Sequence, residues 1–318
     1  MIKTISYETI HEGHSLCVMG AVHGNEKCGT IAINKIIQEL ENGDIKLKKG
    51  SLHLMPIANP KAYQENVRFI ERNLNRHLYK KVIKKDYEDY LDPIICDFID
   101  KGDFLLDLHS YASQTDTKEE AFIFISGNDK KEIDYAQNIG VKNFIYGWQQ
   151  AFNNAENNEG NEKDNRESQG TTEYARLQNI TAVTLECGQH LSLTAPHKAY
   201  EAIVKSLIYF DMLDESSSVY AQFSYENLIQ NNIHSQNENN VLCIHMQNVF
   251  YKENEGDKLS KPWKHFEAVA KNQILAYRYD GLEIKAKENG YILLPKLNAD
   301  NGGEWFYFGI QDSFESIQ

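Results

Sequence analysis

Apolar and polar positions along the chain recur with two periods, and these set the expected elements. An apolar run at residues 16–19 leads into a glycine-bounded stretch, Gly20 to Gly29, and then to Ile33, Ile36, Ile37 and Leu40 at helical spacing. That order reads as strand, tight loop and helix. Asn42-Gly43-Asp44 is a turn, and residues 51–58 form a second strand stopped by Asn59-Pro60. Residues 61–79 lack clean periodicity and are dense in Asn66, Arg68, Arg72, Asn73, Asn75 and Arg76. Tyr87, Tyr90, Leu91, Ile94, Ile95, Phe98 and Ile99 then recur at helical spacing, with Pro93 starting or kinking the second half. Residues 103–109, 121–126, 141–146 and 181–188 read as strands; residues 129–140, 171–178 and a segment opening at Pro196 read as helices.

Residues 153–167 form a polar low-complexity loop, and residues 214–240 shift to Ser, Asn, Gln and Glu as a linker does. Beyond it, short apolar runs at 241–246, 273–279, 291–294 and 305–309 are punctuated by Asp280-Gly281 and Asn289-Gly290, both hairpin-type turns. Strands alternating with helices, followed by strands alone, predict an α/β fold: a mixed sheet flanked by helices, with a small C-terminal β domain. The expected boundaries are a domain over 1–214, a linker over 215–240 and the β domain over 241–318.

Composition narrows the classes of function. A formal charge of −13 argues against nucleic acid or an anionic membrane as partner. An anionic substrate would therefore need a local group of arginines. No window approaches the ~18 uninterrupted apolar residues of a membrane span, and the N-terminus lacks the basic-then-apolar order of a secretory signal. The five cysteines are odd in number and lie mostly within apolar runs, as buried thiols of a cytoplasmic protein do. A homo-oligomer is compatible with the sequence.

Four polar groups fall at the ends of expected strands: His23 with Glu26, the segment from Arg68 to Arg76, Asp107-Leu108-His109-Ser110, and Glu186. In open α/β sheets a ligand binds outside the carboxyl ends of the strands, so one site can collect all four. An imidazole and a carboxylate three residues apart suit Zn²⁺, which needs a third protein ligand for a catalytic site, and His109 can supply it. The bland alternative for His23 and Glu26 is a polar turn. Asp107, two residues before His109 on the same strand face, is placed to orient that imidazole. Glu186 is either a strand-end carboxylate making caps or a general base.

The set Gly20-x-x-His23-Gly-Asn-Glu26-x-x-Gly29, Asn59-Pro60, Arg68-x₆-Asn75-Arg76, Asp107-Leu-His109 and Gly170-Thr-Thr-x-Tyr174-Ala175 through Ala182-Val-Thr-Leu-Glu186-x-Gly188 resembles the succinylglutamate desuccinylase/aspartoacylase family, over about residues 10–215. The resemblance implies the zinc carboxypeptidase-like fold and one Zn²⁺ per chain held by His23, Glu26 and His109. It further implies Glu186 as general base and Arg68 as the group that polarises the scissile carbonyl. Asn75 and Arg76 would bind the α-carboxylate of a small carboxylate-bearing substrate. Arg176 would contact an acidic side chain, and the C-terminal β domain would border the entrance. The implied activity is deacylation of an N-acyl amino acid or similar small amide. A metallocarboxypeptidase acting on short peptides is the nearest rival, because a peptide C-terminus offers the same α-carboxylate. A catalytically silent binding module is the third reading, and the retained Glu186 argues against it.

The chain departs from the family pattern in one residue of note. Asn73 stands where many relatives have aspartate, which removes a negative charge near the arginines and bears on substrate preference. Tyr307 is a candidate for a tyrosine reaching the site. His11, His14, His190 and His197 read as surface or capping residues, and Trp148 and the Trp305-Phe-Tyr-Phe run as core.

Overall fold

The structure, a computed structural model, describes residues 1–112, 120–157, 168–224 and 241–313, with side chains of 153–157 set aside. The first apolar run forms β2 (Ser15–Gly20), almost wholly buried. Its neighbours are β3 (Ser51–Met55) and β4 (Phe104–Tyr111), both parallel to it, and β4 is parallel in turn to β7 (Thr181–Gln189). These strands are apolar on both faces because helices cover both. Leu16, Val18, Leu106, Leu108, Val183 and Leu185 point into one core layer. There they meet α1 (Cys28–Asn42), α4 (Lys130–Asn138) and α7 (Ala195–Tyr209). Cys17, Met19, Leu105 and Ala182 point the other way, against α3 (Asp92–Ile99) and α6 (Thr171–Leu177).

The sheet has eleven strands. β1 (Ile5–Glu8) is antiparallel to β3 at one edge. On the far side of β7 come β5 (Phe122–Phe124), antiparallel to it, then β6 (Asn143–Tyr146) and β8 (Leu242–Tyr251), joined in parallel. β14 (Glu304–Asp312), β13 (Gly290–Leu293) and β10 (Glu267–Val269) complete it in antiparallel order. A separate three-stranded sheet holds β9 (Lys258–Leu259), β11 (Ile274–Tyr277) and β12 (Glu283–Lys285). Residues after 241 are therefore divided between the large sheet and the small one.

Local chemistry explains several boundaries. α1 presents Ala32, Ile33, Ile36 and Ile37 to the core, and Gly43 ends it at a left-handed φ of 78°. Asn59-Pro60 does more than stop a strand. The Asn59 Oδ1 accepts from Ala62 N at 3.2 Å, and Pro60 opens α2 (Pro60–Glu65). Asp280-Gly281 closes the β11–β12 hairpin, with Gly281 at φ 87°. Asn289-Gly290 is not a hairpin: it carries the chain from β12 to β13, whose partners are β10 and β14. Helix α5 (Trp148–Asn157) runs into the stretch read as loop; the rest of that stretch, 158–167, lies outside the described residues, as does 225–240 of the expected linker. Ahead of residue 225, α8 (Tyr220–Phe223) packs Phe223 into the core. No helix among the described residues is long and apolar enough to cross a membrane.

Candidate active site

Strand alternation decides which polar residues meet. On β4, Asp107 and His109 share the face of Leu105, away from Leu106 and Leu108. On β7 the same parity puts Glu186 beside His109, its register partner across the parallel pair. The chain leaves β2 through Ala21 at φ 50°, a left-handed conformation costing a residue with a Cβ about 1–2 kcal/mol. It then packs Gly24 so closely on α2 that a Cβ there would lie 2.0 Å from the Ala62 carbonyl carbon. The loop thus held turns His23 and Glu26 toward His109.

Among the described residues, His23, Glu26 and His109 each bring one ligand atom within 4.8 Å of the others, and all three are buried. The Glu26 carboxylate faces His23 Nδ1 at 2.8 Å and His109 Nδ1 at 2.8 Å, and accepts from Arg68 Nη1 at 3.1 Å and Ser110 N at 3.1 Å. Behind the rings, His109 Nε2 lies 2.9 Å from Asp107 Oδ2 and His23 Nε2 lies 3.0 Å from Asn73 Oδ1. When Nε2–H donates outward, the Nδ1 of either ring in its neutral form turns a lone pair to the point it shares with the carboxylate, which is the donor set and tautomer that Zn²⁺ takes. Burial, helped by the Arg68 charge, lowers His23 to about 4, so it is neutral and able to ligate at pH 7. At His109 burial works in the opposite direction, but Asp107 and Glu26 raise it well above the ordinary histidine value. Asn73 thus sits behind His23 and outside the cavity lining, so its difference from aspartate bears on that imidazole first.

Glu186 is partly buried at the cavity, with its Oε2 wholly covered. Burial, then the Glu26 charge, pushes it up to about 8, and its Oε2 has no hydrogen-bond partner among the described residues. A buried oxygen of that kind suits a group that exchanges a proton with a molecule entering the site.

The polar segment after α2 is sorted by one buried carboxylate. Glu88 accepts from Ile70 N at 2.8 Å, Glu71 N at 3.2 Å, Arg72 N at 3.1 Å and Asn59 Nδ2 at 3.1 Å, which fixes the loop's path. Arg72 turns inward. It binds Asp89 at 3.2 Å and Asp92 at 2.8 Å and 2.9 Å. Arg68, Asn75 and Arg76 turn to the cavity. Arg72→Ala leaves a buried carboxylate pair with Lys81 as the remaining cation, and should lower unfolding stability by about 3 kcal/mol. Denaturant unfolding measures it, and a loss under about 1 kcal/mol would contradict a structural role.

A cavity of about 660 Å³ opens against these groups, lined by all eight expected site residues: His23, Glu26, Arg68, Asn75, Arg76, His109, Arg176 and Glu186. Asn75 Oδ1 accepts from Thr171 N at 2.9 Å, which leaves its amide nitrogen for the cavity. Arg76 donates to Asn75 O at 2.8 Å and Glu304 Oε1 at 2.8 Å, with its guanidinium 5.1 Å from the Trp148 ring centroid. Arg176 is held by Glu132 at 3.0 Å and 2.7 Å, Glu173 at 3.0 Å and Ala182 O at 3.2 Å.

Several lining residues are not evident from the sequence pattern. Glu304 sits at the start of β14. Although burial opposes ionisation, Arg76 and Lys296 hold it down at about 2. Tyr307, unlike Glu304 a candidate from the sequence, donates to Glu304 at 2.6 Å and lines the cavity. Trp148, expected in the core, lines it as well. His190, expected at the surface, is half-buried there with Nδ1 2.9 Å from Ser110 Oγ; its position four residues past Glu186 is the one local signal. For Glu304 no local signal exists, because its partner Arg76 is more than two hundred positions away, and Lys296 reaches the group through Glu304.

Fold and site together define the class. Residues 12–206 match the Succinylglutamate desuccinylase/Aspartoacylase catalytic domain, and the chain belongs to that family of deacylases. A search of curated proteins gives no match. Among solved structures, a succinylglutamate desuccinylase/aspartoacylase from Rhodobacter sphaeroides is similar, with TM-score 0.69, 14% identity, and 98% of this chain and 89% of that one covered. A succinylglutamate desuccinylase from Vibrio parahaemolyticus gives TM-score 0.66 at 13% identity, covering 98% and 92%. The ectoine utilization protein EutE (DoeB) from Ruegeria pomeroyi gives 0.65 at 18%, covering 96% and 88%. At these identities the likeness is one of fold.

Proposed function

We propose that the chain is a zinc-dependent deacylase that hydrolyses the amide bond of an N-acyl amino acid or similar small amide. The observation that carries this reading is the convergence of His23, Glu26 and His109 beside Glu186, whose buried Oε2 has no partner among the described residues. His23 Nδ1, the Glu26 carboxylate and His109 Nδ1 would hold one zinc, which supplies Lewis-acid polarisation of the scissile carbonyl when bound. Glu186 takes the proton of the attacking water and passes it to the leaving amine, a task that suits an acid titrating near neutrality. Arg68, whose Nη1 lies at the edge of the ligand group, stabilises the charge that develops on the carbonyl oxygen. Asn75 and Arg76 hold the α-carboxylate at the cavity wall.

Leu294, Lys296, Glu304 and Tyr307 form one side of the cavity, and that enclosure favours a small amide over a peptide. Five buried free thiols support a reducing, cytoplasmic setting. The test is turnover by purified, zinc-loaded protein on a panel of N-acyl amino acids and short peptides. Chelator-sensitive release of the free amino acid is expected from the first group. Cleavage of the peptides alone would replace this reading with a carboxypeptidase.

A further inference from the structure

Every cation in the described wall of the cavity already faces a carboxylate of the chain, and the four are balanced unequally. Arg68 lies 3.1 Å from Glu26, Arg76 2.8 Å from Glu304, and Lys296 3.6 Å from the same Glu304. A guanidinium has five N–H groups. Among the described residues Arg76 gives one to Asn75 O and one to Glu304, so three remain for a substrate carboxylate, beside the amide of Asn75. Arg176 is different. Its Nε and Nη2 reach the two oxygens of Glu132, Nη1 reaches Glu173 and Nη2 also reaches Ala182 O, which among the described residues leaves one N–H. That single donor is flanked by two carboxyl groups. Neither is free to swing away: Glu132 is fully buried, and Glu173 also accepts from Gly170 N at 2.9 Å at the start of α6.

A second substrate carboxylate arriving at Arg176 would thus meet one donor and the oxygens of two carboxyl groups already engaged on that guanidinium. Beyond the charged groups already named, the cavity offers uncharged ones. Asn128, Tyr146, Trp148, Gln149 and Gln150 also line it, and His245 there is kept neutral by burial. We propose that the pocket selects N-acyl amino acids with a single carboxylate and an uncharged side chain, and that Glu173, holding Arg176 together with Glu132, is the residue that turns a second carboxylate away. Arg176, expected from the resemblance to contact an acidic side chain, then serves to build the wall. The inference rests on the deacylase reading for its substrate and on the donor count for its selectivity.

N-acetylglutamine and N-acetylglutamate are matched in size and differ in the charge at issue. With zinc-loaded wild type, kcat/KM should favour N-acetylglutamine by about tenfold or more, and Glu173→Gln should narrow that ratio by at least about threefold. The ratio is internal to each protein, so a general loss of activity in the variant does not move it. Calorimetric binding of the same pair is measured alongside. If neither compound is hydrolysed but N-acetylglutamine binds more tightly, the deacylase reading falls and the selectivity stands. Equal or better use of N-acetylglutamate by wild type, or an unchanged ratio in Glu173→Gln, overturns the proposal. Binding of neither compound overturns both readings.

Discussion

Glu186→Gln is expected to keep the metal and lose at least about a hundredfold in kcat, with KM little changed. The amide preserves size and leaves the strand pairing of β7 intact, since Glu186 meets its neighbours there through the backbone. It cannot accept a proton from water, and the buried oxygen that lacks a partner is the feature it removes from use. Glu186 is not one of the three grouped ligand residues, so zinc stoichiometry should stay at one per chain. Single-turnover kinetics would place the loss in the chemical step. A variant with near-normal kcat would make Glu186 a structural carboxylate and move the base elsewhere.

His109→Ala should abolish both metal retention and activity while the protein stays folded. The ring is one of three ligand-bearing groups, and its removal should weaken zinc by more than the about 10–100-fold typical of losing an orienting partner. The fold should survive because the core layers on both faces of β4 are built from Leu105, Leu106 and Leu108, which the change leaves alone. Asp107 loses the ring at its Oδ2 but keeps the Thr171 hydroxyl there. Metal content after dialysis, read with a circular dichroism melt, separates the two effects. Stoichiometric zinc in the folded variant would remove His109 from the ligand set.

Local pattern makes much of the scaffold legible. Period-two alternation within β2, β4 and β7 follows from strand geometry, so the apolar runs announce both the strands and the two core layers. The same two-residue period is enough to put Asp107 and His109 on one face of β4. Helical spacing in α1 is equally local, because side-chain burial depends on neighbours a few residues away, whereas Asn59-Pro60 reads from the sequence only as the stop of a strand and the structure adds the start of α2. The limits lie where a residue's partner is distant. Arg72 and Arg76 stand four apart in one polar segment, yet Asp89 and Asp92 draw one inward while Glu304 meets the other in the cavity. Nothing in the segment itself separates them.

What the sequence by itself determined, then, is the alternation of the central strands and helices, the strand-end positions of His23, Glu26, His109 and Glu186, and an acidic chain in which anion binding must be local. Only the tertiary structure decided how the charges are matched. It set Glu304 against Arg76, joined Glu132 and Glu173 on Arg176, and brought Asn73 behind His23. It also continued the large sheet past residue 241, so that β8 and β14 carry cavity-lining residues. The reason is physical: a backbone's periodicity is written in adjacent residues, whereas the strength of a charge in a cavity depends on every opposite charge within a few ångströms, wherever the chain supplies it.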